Sequence, residues 1–465
     1  MLSHMTANDP IIALATPAGQ SALAVVRTSG EGSIKRIAEV FSNADALLGA
    51  YSSSMVHGLL RDGDRVVDEV LLAVFRAPGG YTGEEAVEIY CHGNMSGVGR
   101  IISLLHRKGF RDADPGEFTM RAFLAGKLDL TQAEAVHEVV SAKTAAAQEQ
   151  ALHRLGGAVS RAIAGIVDGL MPLMATAEVQ LDYAEDELED VPLPIDLAHE
   201  ARRQLTDILG TYRSGRILQE GARVVLAGST NAGKSSLFNA ILREERSIVS
   251  DTHGTTRDYI EAAVDVEGLA VRLFDTAGLR ESEEQIEAIG IQRSRDMIES
   301  ADLVLFVVDG QMSADGVPFA DTMHAIASIT ERRPVLVAVT RADLGGEAEG
   351  RARTIAAAGY SAHARSATRG EGLQELLTAI RTSLLPDSGV SMTGAGTEAV
   401  LLDNLRQKEL LERADEALER VIASHTAGAS IDAIAVDLHD AIGALGEITG
   451  EVSSDDVLDA VFSSF

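Results

Sequence analysis

The chain has 465 residues, 46% of them apolar and 24% charged, with a mean hydropathy of +0.07 and a formal net charge of −30. That length exceeds what a single hydrophobic core supports and implies roughly two to four domains, while the composition suits a soluble globular chain and excludes disordered and fibrous classes. The acidic balance repels nucleic acid at long range, so any RNA contact needs a local basic patch or a partner protein.

No apolar run approaches the ~18 residues of a membrane span and no signal-peptide pattern opens the chain, so a cytoplasmic protein with no membrane partner is expected. The opening Met-Leu-Ser-His-Met carries no structural weight, and Met5 is the expected natural start. The single cysteine, Cys91, excludes an intrachain disulfide and a cysteine-rich metal centre.

Short β-like runs (11–15, 22–27, 70–75, 87–91) alternate with a helical stretch near 97–108 and predict a small α/β domain over 1–124. From Thr131 the text changes to long Ala/Leu/Val/Glu segments at helical spacing, with Met171-Pro172 expected to end or kink a helix. A second helical block follows from about 398, with an apolar stripe through Ile431, Ile434, Leu438, Ile442, Leu445 and Ile448 ending at Gly450. Between the blocks, 220–385 alternates strands with helices, the pattern of a mainly parallel sheet. The predicted fold is therefore multi-domain α/β: an α/β domain at 1–124, a discontinuous helical domain at 125–219 and 386–465, and an inserted parallel-sheet domain at 220–385.

Chemistry concentrates in the insert. Gly228-Ser-Thr-Asn-Ala-Gly-Lys-Ser235 follows an apolar strand and precedes a helical run, the context of a phosphate-binding P-loop. Its glycines let backbone N–H groups of Asn231, Ala232, Gly233, Lys234, Ser235 and Ser236 wrap the phosphates at a helix N-terminus. Lys234 is the candidate for the β- and γ-phosphates and Ser235 for Mg²⁺. Gly254-Thr255-Thr256-Arg257-Asp258 offers a threonine to complete the metal and γ-phosphate shell. Asp275-Thr276-Ala277-Gly278 closes an apolar strand, placing Asp275 at the metal's water shell and the Gly278 N–H at the γ-phosphate.

Two departures from the Ras-like pattern stand out. Leu279 follows Gly278, so the water-orienting glutamine is missing there, and the carboxylates of 281–287 offer several replacements among which the residues themselves do not choose. Thr340-Arg341-Ala342-Asp343 stands where guanine readers carry Asn-Lys-x-Asp. Asp343 can accept from N1–H and N2–H₂ of guanine, which preserves base choice. Thr340 lacks the amide that bridges base and P-loop, so weaker affinity is expected. Ser366-Ala367 is the candidate for a last backbone contact to guanine O6.

These motifs, with Ile289-Gly-Ile291 beyond them, closely resemble the MnmE (TrmE) family of tRNA wobble-uridine modification GTPases. The likeness extends along the chain through VVRTSG ending at Gly30, Tyr81–Gly93, DPGEFTMRAFL from Asp114, GKLDLTQAEA from Gly126 and the ending EITGEVSSDDVLDAVFSSF. It excludes Era- and Der-like GTPases, since neither a KH module nor a second P-loop is visible. The resemblance implies a K⁺-activated GTPase that dimerises through its N-terminal domain, with G domains associating across the homodimer in the transition state. K⁺ would be held by Asn231, Ser250, Thr252 and Thr255 in a loop that includes Asp251 and Gly254, Mg²⁺ by Ser235 and Thr256, and attacking water oriented by Glu287. A monovalent cation at the phosphates would supply part of what an arginine finger does, ~4–7 kcal/mol.

The resemblance further implies that the N-terminal domain binds 5,10-methylene- or 5-formyl-tetrahydrofolate, with Arg27, Glu88 and Lys127 matching its contact positions. With the FAD-dependent partner MnmG, the family adds a carboxymethylaminomethyl or aminomethyl group to uridine 34 of certain tRNAs, the tRNA being contacted largely through the partner. Family members usually finish with Cys-x-Gly-Lys, whereas this sequence stops at Phe465. That ending motivates an alternative expectation beside the modification GTPase, a nucleotide-gated scaffold that hydrolyses GTP while modifying tRNA poorly or not at all.

Overall fold

The computed structural model describes residues 9–182, 192–244, 260–275, 296–312, 317–344, 347–366, 372–386, 400–452 and 455–463. The chain divides into two compact units, 1–137 with 445–465, and 138–444.

The first unit is built on a six-stranded sheet of β1 (Ile11–Leu14), β2 (Leu23–Ser29), β3 (Ser54–Asp62), β4 (Arg65–Phe75), β5 (Ala86–His92) and β6 (Arg111–Asp112). Spatial order is β3-β4-β5-β2-β1-β6, antiparallel except for β1 with β6. Alternation decides the buried face: Ala24, Val26, Val70, Leu72, Val74, Val87, Ile89 and Cys91 point into one core with Ile101 and Leu105 of the helix Met95–His106. Burial pushes the Cys91 thiol up to about 11, so it behaves as packing. Strand β3 went unread in the sequence because His57 and Gly58 interrupt its apolar pattern. Gly58 is there because a Cβ would lie 2.5 Å from the Phe41 ring. A smaller core joins Met120, Leu130 and Ala133 to Leu458 and Phe462.

In the second unit the helices Ala145–Leu155, Ala158–Asp182, Asp196–Leu209, Tyr212–Glu220 and Leu405–Thr426 pack at helical spacing. Of the two outcomes expected at Pro172, an ended or a kinked helix, the first does not occur: Ala158–Asp182 runs through it. Ile163, Ile166 and Leu170 before the proline and Leu173, Met174 and Ala177 after it are all buried on one stripe, and that packing outweighs the lost hydrogen bond. This is also the one helix among the described residues long and apolar enough to cross a membrane by length and composition, which the sequence reading did not anticipate. It carries Arg161, Asp168 and Glu178 and packs on its neighbours 145–155 and 196–209.

The same unit holds a second sheet: β7 (Ala222–Ala227), β8 (Ile260–Val266), β9 (Leu269–Asp275), β10 (Leu303–Asp309), β11 (Val335–Thr340) and β12 (Ala362–Ala364). Its order is β12-β11-β10-β7-β9-β8, and only β8 with β9 is antiparallel. The strands are nearly continuous apolar runs because both faces are covered, one core containing Leu226, Leu305 and Leu377 and the other Val225, Phe306 and Ile355.

Candidate functional site

The parallel strands all deliver their carboxyl ends to one edge, where chain order reverses between β7 and β10, the place where open α/β sheets bind ligands. The Gly228–Gly233 loop leaves β7 there. Gly228 has φ 136°, and a Cβ would stand 2.2 Å from the Val307 carbonyl oxygen. Asn231 takes the left-handed φ of 64° that asparagine tolerates. Lys234 opens the helix Lys234–Glu244, so the first-turn N–H groups have no intrahelical acceptors and face the loop. Its ammonium is buried and donates to the Gly228 and Ser229 carbonyls at 2.9 and 2.8 Å. Beside it the Ser235 hydroxyl donates to Asp275 Oδ2 at 2.8 Å, where β9 ends. A hydroxyl and a carboxylate so placed are hard oxygen donors that fit Mg²⁺.

The residues expected to read the base gather at the ends of β11 and β12. Asp343 sits in a one-turn helix, Ala342–Leu344, and Ser366 Oγ donates to its Oδ1 at 2.9 Å. The Ala342 N–H donates to the Arg365 carbonyl, and the Arg365 N–H to that of Val339, which fixes the two loops together. Thr340 corrects part of the sequence expectation. It lacks an amide, but its buried hydroxyl donates to the Ala232 carbonyl at 2.7 Å, so the tie to the P-loop is present. Arg341, at φ 60°, makes a second tie: its guanidinium reaches Asp309 at 2.6 Å and the Asn231 carbonyl at 3.0 Å.

Sequence reasoning missed Asp309 and Arg365. The Asp-Gly pair closing the apolar run of β10 was a signal for the first. A Cβ on Gly310 would stand 2.1 Å from the Thr340 carbonyl oxygen, so the glycine lets the two strand ends close up. Arg365 gave no signal. Burial pushes its guanidinium down to about 9, and it donates to the Gly372 carbonyl at 3.2 Å. Ser250, Asp251, Thr252, Gly254, Thr255, Thr256, Thr276, Ala277, Gly278, Glu287 and Ala367 lie outside the described residues.

In the first unit Arg27 and Glu88 are register partners on β2 and β5 and form an ion pair at 2.9 Å. Tyr90 donates to the other Glu88 oxygen at 3.1 Å, and the Arg27 guanidinium lies 5.7 Å from the Tyr81 ring centroid and 5.8 Å from that of Phe118. Both rings were missed as site candidates. Lys127 lies across Gly83, where a Cβ would be 3.5 Å from its Cε. The arrangement is a half-exposed charged pair walled by aromatic faces.

Glu117 and Arg121 of the GEFTMR segment, in contrast, are structural. Arg121 reaches Glu117 at 2.7 Å and Glu84 at 3.0 Å, Arg111 reaches Glu117 at 2.7 Å, and Ser29 donates to Glu84 at 2.7 Å. Burial pushes the Glu117 carboxyl up, but bonds from Arg111, the Asp114 N–H and Arg121 outweigh it and hold it below the usual range.

Two family profiles match the chain: the MnmE helical domain over residues 130–465, and the GTP-binding protein TrmE N-terminus over residues 10–127. The tRNA modification GTPase MnmE of Treponema denticola is 40% identical over 98% of this chain and 97% of its own. The chain belongs to the MnmE family of tRNA modification GTPases. Family proteins of the same name from Borreliella burgdorferi, at 38% identity, and Heliobacterium modesticaldum, at 40%, are matched over 98% of both chains. Membership makes this a GTP hydrolase with a P-loop domain on a mostly parallel sheet.

Proposed function

We propose that this MnmE-family chain is a K⁺-activated GTPase that works with MnmG to add a carboxymethylaminomethyl or aminomethyl group to C5 of uridine 34 of certain tRNAs. The observation that carries the nucleotide half is the convergence of Lys234, the Ser235–Asp275 pair and the Asp343–Ser366 pair on one sheet edge. Lys234 would neutralise the β- and γ-phosphates, Ser235 and Thr256 would hold Mg²⁺ with Asp275 beside them at its water shell, and Asp343 would read the guanine N1 and N2 edge. Bound Mg²⁺ offsets charge on the β- and γ-phosphates. Gly278 offers its N–H to the γ-phosphate and Glu287 orients water. Asn231, Ser250, Thr252 and Thr255 are the proposed K⁺ ligands.

For the carbon donor we propose 5,10-methylene- or 5-formyl-tetrahydrofolate in the first unit. Arg27 would meet its carboxylates or pterin while Glu88 accepts from pterin N–H groups, and Lys127 adds positive charge. The aromatic walls of Tyr81 and Phe118 support that reading. The proposed organisation is three domains with the boundaries given above, in a cytoplasmic homodimer that meets tRNA largely through MnmG. The test is reconstitution with MnmG, FAD, NADH, GTP, Mg²⁺, K⁺, the folate donor and tRNA. Modified uridine 34 is expected; normal GTP turnover with no modified base would sink the coupling.

A further inference from the structure

We infer that no side chain among the described residues donates to guanine N7, so that base choice there rests on the N1 and N2 positions that Asp343 reads. The inference rests on the proposed role of Asp343 and concerns the residue beside it in the same pocket. Thr340 ends β11 almost fully buried, and its hydroxyl lies 2.7 Å from the Ala232 carbonyl oxygen and 3.2 Å from that of Val308. A hydroxyl has one proton. Both neighbours are acceptors only, so that proton is committed to them. What Thr340 can still offer a base is lone pairs, and N7 is itself an acceptor.

A carboxamide in this place has two N–H donors, one for the P-loop carbonyl and one left over for the imidazole edge of the base. The threonine keeps the first bond and gives up the second. Arg341 does not restore it, because its guanidinium is drawn to Asp309 and the Asn231 carbonyl. The Ser366 hydroxyl, committed to Asp343, points the carboxylate rather than the imidazole edge. The loop therefore keeps a tie to the P-loop while reading one fewer atom of guanine.

The test is displacement of a fluorescent GDP analogue by GDP, 7-deazaguanosine diphosphate and inosine diphosphate on the full chain. The deaza compound, which replaces N7 by C–H, should bind within about twofold of GDP, whereas losing one hydrogen bond would cost about fivefold. A deaza compound weaker by about fivefold or more overturns the inference. Inosine diphosphate lacks the N2 amino group and should bind at least about fivefold more weakly. Equal binding of GDP and inosine diphosphate would instead defeat the proposed role of Asp343, which separates the two failures. Thr340→Asn should create the discrimination, tightening GDP about fivefold and leaving the deaza compound unchanged. Should that variant bind both alike, Thr340 is not the residue responsible. Thr340→Val, which removes the P-loop tie, should weaken both ligands together with their ratio still near one, and a ratio that moves away from one counts against the inference.

Discussion

Ser235 and Asp275, forty residues apart in sequence, meet through a 2.8 Å hydrogen bond that joins the start of one helix to the end of strand β9. The bond sets two oxygen donors side by side before any metal arrives. Ser235→Ala should therefore raise the Mg²⁺ concentration for half-maximal GTP turnover by about 10- to 100-fold. GDP binding measured without Mg²⁺ should hardly change. An unchanged Mg²⁺ titration would remove Ser235 from the metal shell.

Asp343→Asn replaces two acceptor oxygens by one acceptor and one donor. GDP affinity should fall by about a hundredfold, as two bonds to a charged group are lost, while xanthosine diphosphate, with a carbonyl at C2, becomes the better ligand. Calorimetric titration with both nucleotides checks this, and preserved GDP affinity in the variant would contradict it.

The cation and water roles are tested together. GTP turnover should fall steeply when K⁺ is replaced by Na⁺. Glu287→Ala should leave nucleotide binding intact and suppress hydrolysis by two or more orders of magnitude, roughly the yield of a positioned acid–base group. Equal rates in both salts dispose of the K⁺ site, and lost binding in the variant makes Glu287 structural.

At the Arg27–Glu88 pair, Glu88→Gln and Arg27→Ala should each leave GTP turnover unchanged and weaken tetrahydrofolate binding by about tenfold or more. Fluorescence titration with 5-formyl-tetrahydrofolate reads the effect. Unaltered folate binding in both variants would assign the pair to the sheet surface alone.

Glu117 carries a stability prediction. Its carboxyl is held below the usual range, so its contribution is fully present above the unfolded value of about 4.3 and is lost as pH falls through the lower folded value. Glu117→Gln leaves the Arg121 and Arg111 charges without their shared partner and should cost about 3 kcal/mol or more at neutral pH. Thermal melts followed from pH 7 to 3 should show the difference between wild type and variant shrinking with acid; a constant difference would contradict the assignment.

The P-loop and the parallel sheet were legible because their signals are local: glycines at fixed spacing, continuous apolar strands, a lysine at a helix start. Long-range pairings were not. Nothing in the sequence placed the Thr340 hydroxyl on Ala232, 108 positions away, so the missing amide read as a missing tie. Nothing in the sequence brought Tyr81 and Phe118 to Arg27, whose guanidinium lies over both rings. At Pro172 the local rule left open whether the helix would end or bend, and the packed stripe on both sides of it is what carries the helix through.

Gly116, at φ 68°, leaves no room for a side chain: a Cβ there would press to 2.3 Å of the Phe462 carbonyl oxygen, and the Phe462 ring fills the core around Met120 and Leu130. Anyone cutting this protein into pieces meets the result directly. A fragment comprising only residues 9–137 would carry an apolar socket shorn of its plug, prone to self-association, and adding a peptide covering 445–463 is the remedy the packing prescribes.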